Sequence, residues 1–167
     1  MLLKYSKKPG QGSSWSLKVV SRNRSLQIRF IAFMGFNDNY MSGLTGDQAE
    51  GIITCNHFIQ SLDRQDSKDF VERQHKIFGP EAIVSFYADS HNGIIMLFKQ
   101  AIDKAQSDDK EKIIDAMIGQ SVVAANSTVT MHDDHHGTLN MLIAEVMGGN
   151  LVLKKYIGPI QAANQCK

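Results

Sequence analysis

Apolar residues recur with a helical period in three segments of the chain. In the first, Asp66 and Asp69 resemble a capping box, Phe70 and Phe78 lie on one apolar stripe, and Gly79-Pro80 ends the pattern. The stripe of the second segment consists of Ile94, Ile95, Leu97, Phe98, Ala101, Ile102 and Ala105. That of the third consists of Ile113, Ile114, Met117 and Ile118. These spacings predict three helices, the second of them long.

Elsewhere the pattern favours strands. Short apolar runs over Phe30–Phe36, Gly51–Phe58 and Ala82–Tyr87 predict extended segments. Near the end of the chain the period becomes two residues, with Val129 and Met131 alternating with threonines. The last apolar runs, 141–146 and 151–157, are joined by Gly148-Gly149-Asn150, which predicts a terminal β-hairpin. Helices alternating with strands before a closing hairpin indicate an α/β fold with helices packed on a sheet.

The second predicted helix needs a partner. Its apolar side is wide, and only Lys99, Asp103 and Lys104 are placed on the side that faces water. We therefore expect the sheet to cover the apolar side. The third helix starts near Asp108 and ends at Gly119, so it is short.

Charge divides the chain unevenly. Residues 1–40 hold seven Lys or Arg and one acid, Asp38, while the rest holds 11 bases and 16 acids. Together with the Ser, Gly and Lys content, this predicts a basic N-terminal segment over residues 1–45, loop-like or disordered over residues 1–25. The net charge of +1 gives no reason to expect a nucleic-acid partner. No apolar run is long enough to span a membrane. Phe30–Phe36 lacks the cleavage site of a signal peptide.

Candidate chemistry is sparse. The run His132-Asp133-Asp134-His135-His136 contains metal-ligand types, but neighbours on an extended segment point to opposite sides, so a solvated loop is favoured over a metal-dependent enzyme. Ser85, Asp89 and His91 are close along the chain, which alone does not make a catalytic triad. Cys55 and Cys166 allow one disulfide at most. No phosphate loop, dinucleotide fingerprint or zinc motif is present, so no cofactor and no enzymatic activity are predicted.

A series of short segments between residues 49 and 166 resembles one family. The segments are Ala49-Glu50-Gly51, Asn56-His57-Phe58, Ser61-Leu62-Asp63, Phe70-Val71-Glu72-Arg73, Phe78-Gly79, Ser85-Phe86-Tyr87-Ala88-Asp89, His135-His136 and Ile143-Ala144-Glu145-Val146. In order and spacing they resemble the C-terminal part of ABC-transporter solute-binding proteins for urea and short-chain amides, relatives of cytosolic amide sensors. The chain departs from that family at Gln65, at Ser90-His91-Asn92 and at Ala124-Ala125-Asn126-Ser127.

The resemblance implies one lobe, residues 46–167, of a type 1 periplasmic binding protein, which is not an enzyme. It implies a small polar solute such as urea or an amide, an ABC transporter permease as partner, and a periplasmic location. The first lobe has no counterpart in residues 1–45, so binding is expected to be impaired. Ligands in α/β sheets meet the carboxyl ends of strands, which makes Asn56, His57, Tyr87 and Asp89 the ligand-binding candidates. For each, a helix cap or a buried hydrogen-bonding role is an equally good interpretation. A cytosolic amide-sensing regulator is the alternative function.

Overall fold

The computed structural model describes residues 30–32, 35–44 and 46–161. The elements in chain order are β1 (Ile31–Ala32), α1 (Asp38–Met41), α2 (Gly46–Ala49), β2 (Ile53–Asn56), α3 (Gln65–Phe78), α4 (Phe86–Ala105), α5 (Lys110–Met117), β3 (Ser121–Val123), β4 (Thr128–Met131), β5 (Gly137–Met147) and β6 (Asn150–Ile160). The predicted α/β fold, with helices, a sheet and a C-terminal hairpin, is confirmed. The predicted loop over residues 1–25 lies outside the described residues.

The sheet is mixed. Its order is β1-β2-β5-β4-β3, with β6 paired to β5 along the hairpin. β1 and β2 are parallel, and every other pair is antiparallel. The parallel pair matters most for function, because the carboxyl ends of two parallel strands lie at the same edge of a sheet.

Two strand predictions need correction. Of the predicted strand over Phe30–Phe36, only Ile31–Ala32 pairs with β2 among the described residues, and Ile31 is exposed at the sheet edge rather than buried. The predicted extended segment Ala82–Tyr87 is wrong at its end, because α4 already begins at Phe86. Helical geometry there places the Phe86 ring in the core, which leaves Tyr87 exposed.

The N-terminal ends of α3 and α5 also differ from those predicted. The N-cap of α3 is Arg64, which makes no side-chain cap, and Asp66 instead pairs with Arg64 at 3.5 Å. The N-cap of α5 is Asp109, whose carboxylate accepts from the amide of Lys112. The ends agree better, since Gly79 and Gly119 both have positive φ just after a helix.

Most of the core is built from β5, β6 and the segments that connect the elements, and α3 contributes Phe70 to it. Its largest fully buried side chains include Phe58 and Phe70, whose rings meet edge to face at 5.9 Å between centroids. A second, much smaller cluster joins α4 to α5 and consists of Ala101, Ile113 and Ala116. The sheet does not cover the wide apolar side of α4 as expected: Leu97 and Ala101 are buried, whereas Ile94, Ile95, Phe98 and Ile102 are exposed.

Candidate functional site

Polar side chains gather where β1 and β2 end. The carbonyl oxygen of Phe36 accepts hydrogen bonds from Thr54 Oγ1 at 2.8 Å and from Asn56 Nδ2 at 3.0 Å. These two bonds attach the segment that follows β1 to the end of β2. Asn37 and Asn56 are completely buried here, and among the described residues Asn37 Nδ2 and Asn56 Oδ1 have no hydrogen-bond partner, which is costly for buried polar atoms.

His57 joins this strand end to the first turns of α4. It is 3% exposed, and its Nε2 atom lies 3.2 Å from the carbonyl oxygen of Phe86 and 2.9 Å from Ser90 Oγ. Its ring also packs edge to face on the Phe86 ring. The same Nε2 atom is 4.0 Å from a carboxylate oxygen of Asp89.

Asp89 extends the network to the loop of residues 124–127. Its Oδ1 atom accepts from the amide of Ala125 at 2.7 Å, and Ser67 Oγ donates to the carbonyl oxygen of Ala125 at 2.6 Å. Asn126 donates from its side chain to the carbonyl oxygen of His57. Tyr156 of β6 in turn donates to Asn126. The network therefore holds together β2, α3, α4 and β6.

Burial controls the charges of the central pair. It lowers the pKa of His57 below 6.5 and raises the pKa of Asp89, because desolvation outweighs their mutual attraction across 4.0 Å. His57 is therefore neutral at neutral pH. It acts as a hydrogen-bonding group that joins two elements rather than as a cation.

The arrangement of Ser90, His57 and Asp89 is not a catalytic triad. In a triad the serine and the carboxylate contact opposite ring nitrogens. Here both are closest to Nε2, and Nδ1 is buried without a hydrogen-bond partner. The other sequence candidates are also apart, since Ser85 Oγ accepts from Asn39 and His91 Nδ1 lies against the carbonyl oxygen of Tyr87.

Solvent-accessible polar groups border this buried network. We call them the strand-end rim: Asp38, Asn39, Tyr40, Tyr87 and Ser90. Asn39 Nδ2 donates to Ser85 Oγ at 3.0 Å, which brings α1 beside the start of α4. Tyr40 and Tyr87 are about half exposed.

Asp38 supplies the carboxyl group of the rim, and the pKa of this group is perturbed. Both of its oxygens lie 3.3 Å from the backbone amide of Gln60, yet partial burial raises its pKa from 3.8 to about 6. Desolvation therefore outweighs the hydrogen bonds. The group therefore changes protonation near pH 6: below that pH it can donate a hydrogen bond, and above it the carboxylate only accepts.

The four predicted ligand-binding residues separate into two groups. Asn56, His57 and Asp89 are brought together but are buried and bonded to protein atoms. Tyr87 faces solvent on the rim. The assignment of these four residues to a ligand stays a prediction.

Sequence reasoning missed Asp38, Asn39, Ser90 and Asn126. A signal for the first two was present, because polar residues directly follow the apolar run that contains β1, as they do after β2. No comparable signal marked Asn126, since its partners are 30 and 69 residues away along the chain.

The His132–His136 run forms the turn between β4 and β5. His132 lies against Thr138, and His136 contacts Asp134. Across the described residues, no three His, Cys, Asp or Glu side chains lie close enough to hold a metal ion. In the same part of the chain, no helix combines the length and apolar character needed to cross a membrane.

A comparison with protein families assigns the fold. Residues 25–164 match the periplasmic binding protein domain family. The chain belongs to this family. The match begins within residues 1–45, and the described part of that segment contributes β1 and α1 to the lobe. The division of the chain at residue 45 stays a prediction.

Solved periplasmic binding proteins share the architecture. An ABC-transporter solute-binding protein from R. palustris in complex with benzoate superposes with a TM-score of 0.67 and 18% identity, covering 77% of this chain and 35% of that one. A leucine-binding protein from Thermotoga maritima MSB8 gives 0.66 and 19%, covering 77% and 37%. At these identities the likeness concerns the fold, which is that of type 1 periplasmic binding proteins.

The curated relatives are much longer than this chain. The chain is 28% identical over 89 residues to limonene hydroxylase of Geobacillus stearothermophilus, covering 53% of this chain and 16% of that protein. It is 27% identical over 103 residues to Leu/Ile/Val-binding protein homolog 6 of Brucella abortus (strain 2308), covering 60% and 26%. The chain thus spans about a quarter or less of the curated relatives named here.

Proposed function

We propose that this chain is the second-lobe part of the solute-binding component of an ABC transporter, and that its solute is a small uncharged molecule such as urea or a short-chain amide. The observation that supports this most is the strand-end rim, which offers hydroxyl, amide and carboxyl groups where two parallel strands end. In this proposal the chain is not an enzyme. It works in the periplasm with a transporter permease.

The chemistry of the rim favours a neutral solute over a carboxylate. An amide or urea presents both N–H donors and a carbonyl acceptor within a few ångströms. The Asp38 carboxyl, the Asn39 side chain and the Tyr87 hydroxyl supply matching acceptors and donors. The rim as defined contains no lysine or arginine, the side chains best suited to a carboxylate.

The buried residues serve this rim as a support. The His57–Ser90 contact ties the end of β2 to α4, and the Asn39–Ser85 hydrogen bond ties α1 to the start of α4. Tyr87 and Ser90 are thereby held relative to Asp38. Side chains that are fixed before binding lose less entropy when a solute arrives. In this proposal Asn56, His57 and Asp89 position the rim, and Tyr87 contacts the solute.

One lobe alone provides one wall of a cleft. A micromolar solute requires about −8 kcal/mol, and half of that corresponds to millimolar affinity. Water also remains in contact with an open site and weakens its polar interactions. We therefore expect the isolated chain to bind amides in the millimolar range.

The test is a titration of the isotopically labelled chain with acetamide and urea, followed by amide chemical shifts. Millimolar binding is expected to give saturable shifts at Asp38, Asn39, Tyr87 and Ser90. Isoleucine and benzoate at the same concentrations are expected to leave these signals unchanged. The Tyr87→Ala variant should weaken acetamide binding several-fold, whereas Ile77→Ala, on the exposed far end of α3, should not.

Two results would contradict the proposal. Larger saturable shifts with isoleucine or benzoate would exclude a neutral-solute site. Binding of an amide tighter than about 10 µM would contradict the impaired single lobe.

A further inference from the structure

Helix α4 has two apolar faces, and only one of them is buried. The buried face carries Phe86, Gly93, Leu97 and Ala101. The other consists of Ile94, Ile95, Phe98 and Ile102, which are 44%, 66%, 47% and 39% exposed. We call these four residues the α4 stripe. Four large neighbouring apolar side chains at this exposure form a contiguous patch, which is typical of an interaction surface.

The described part of the chain offers no element to cover this stripe. α5 packs beside it through Ala101, Ile113 and Ala116, a cluster too small to enclose the helix. An open hollow of about 610 Å³, lined by Phe98, Ile102 and Ile113 among others, borders the stripe. A helix with an apolar stripe needs a second layer against it.

The spacing of the stripe is symmetric. Ile94, Phe98 and Ile102 are four residues apart, so they form one ridge along the helix with Phe98 at its centre. If a second α4 crosses antiparallel about a two-fold axis at Phe98, Ile94 of each helix faces Ile102 of the other. Ridges of this kind pack into each other at a crossing angle of about −50°.

We propose that the α4 stripe is the interface of a homodimer, with the stripe of a second copy as its occupant. A two-fold interface must be complementary to itself. An uncharged ridge with the same residue type at both ends satisfies this requirement. The Lys99–Asp103 ion pair lies within one helix, beside the stripe, so the charge of Asp103 is already paired within its own copy.

The exposed area of the stripe is small for an interface between two proteins. An aromatic side chain buries about 150–250 Å² when fully covered and an isoleucine less, so the half-exposed stripe supplies on the order of 500 Å² per copy with its flanks. A standard stable interface buries about 800 Å² per partner. The stripe is therefore below the standard size, and we expect the dimer to be weak. It goes beyond the proposed transport function and does not use the strand-end rim.

Sedimentation equilibrium of the full chain between about 1 and 200 µM tests the proposal. The expected result is a monomer–dimer equilibrium that Phe98→Asp weakens about 100-fold, because a charge at the centre of the interface would lose its hydration. Met96→Asp is the matched control: Met96 is 41% exposed on the opposite side of α4, and the change should leave the Kd unaltered. Circular dichroism verifies that both variants are folded.

Disulfide cross-linking tests which side of α4 lies in the interface. In a background with Cys55→Ala and Cys166→Ser, Phe98→Cys should form a disulfide-linked dimer on oxidation, and Met96→Cys should not. A chain that stays monomeric at 200 µM overturns the proposal and leaves the stripe to residues 1–29 or to a longer polypeptide. Equal cross-linking at both positions, or a dimer that Phe98→Asp does not weaken, overturns it as well. None of these three results affects the solute titration.

Discussion

Asp38 is the residue at which the environment most clearly changes the chemistry of an accessible side chain. Its carboxyl group is partly desolvated at the start of α1, and its pKa is raised to about 6. The folded protein therefore holds a proton on Asp38 between about pH 4 and pH 6, whereas the unfolded chain does not. The stability that this proton contributes is fully present below pH 3.8 and is lost as the pH rises through 6.

We expect Asp38→Asn to stabilise the protein at pH 8 and to have little effect at pH 4. The amide keeps an acceptor for the Gln60 N–H and carries no charge to desolvate. The shift from 3.8 to about 6 corresponds to at most about 3 kcal/mol at pH 8. Urea denaturation of both proteins from pH 4 to pH 8 measures the difference in unfolding free energy.

Asp63→Asn is the matched control with the opposite sign. Asp63 is exposed, and its hydrogen bond with Lys68 lowers its pKa, so ionised Asp63 favours the folded state as the pH rises. Its removal should reduce stability slightly towards pH 8. A gain from Asp38→Asn that does not depend on pH would contradict the assigned desolvation.

The roles of His57 and Asp89 depend on residues that are distant in sequence. Both were correctly expected near the strand ends, but their burial depends on Phe86 and on the loop of residues 124–127. A strand-end position predicts where a side chain lies. It does not predict whether another segment covers it.

At the scale of elements, two glycines of the helices have different functions. Gly79 ends α3 with φ 96° and ψ 159°, a backbone conformation that residues other than glycine rarely adopt. Gly93 lies within α4, and a Cβ atom there would meet Ala124 Cβ at 3.8 Å, an ordinary contact. One glycine is required by the backbone, and the other leaves room for a methyl group.

We expect Gly79→Ala to destabilise the protein by about 1–3 kcal/mol, the cost of forcing a side chain into this region. Gly93→Ala should stabilise it by about 1 kcal/mol, since alanine is the better helix former. Chemical denaturation at pH 7 compares the two variants. A loss at Gly93 would show that the contact with Ala124 is tighter than the structure indicates.

The elements themselves could largely be predicted from local pattern. The period of apolar positions located α3, α4 and α5, and glycines marked the turns of the hairpin. The start of α4 was missed because Phe86 and Tyr87 suit a strand as well as a helix. Only packing of the Phe86 ring against His57 decides between them.

On the scale of the whole molecule, the described residues form two cores of unequal size. The main core has fourteen buried side chains, drawn from the sheet, the connecting segments and single residues of α2, α3 and α4, whereas three side chains join α4 to α5. Local opening costs less where fewer apolar side chains separate. The C-terminal part of α4 together with α5 should therefore open without unfolding of the sheet.

Hydrogen exchange followed by mass spectrometry tests this difference at about 1 µM protein. Peptides that cover residues 99–118 should exchange before those of β5, residues 139–147. The expected difference in protection is at least about tenfold, which corresponds to about 1.4 kcal/mol. Equal protection of both regions would show that the molecule opens as one unit.

Local periodicity, turn residues and short motifs were enough to predict the fold class, the order of most elements and the wider family of periplasmic binding proteins. Which polar strand ends are buried, and which apolar face of α4 is exposed, became clear only from the packed molecule. Both have one cause. Burial depends on what packs against a residue from elsewhere in the chain, and for His57 and Phe98 the local pattern contains no record of that neighbour.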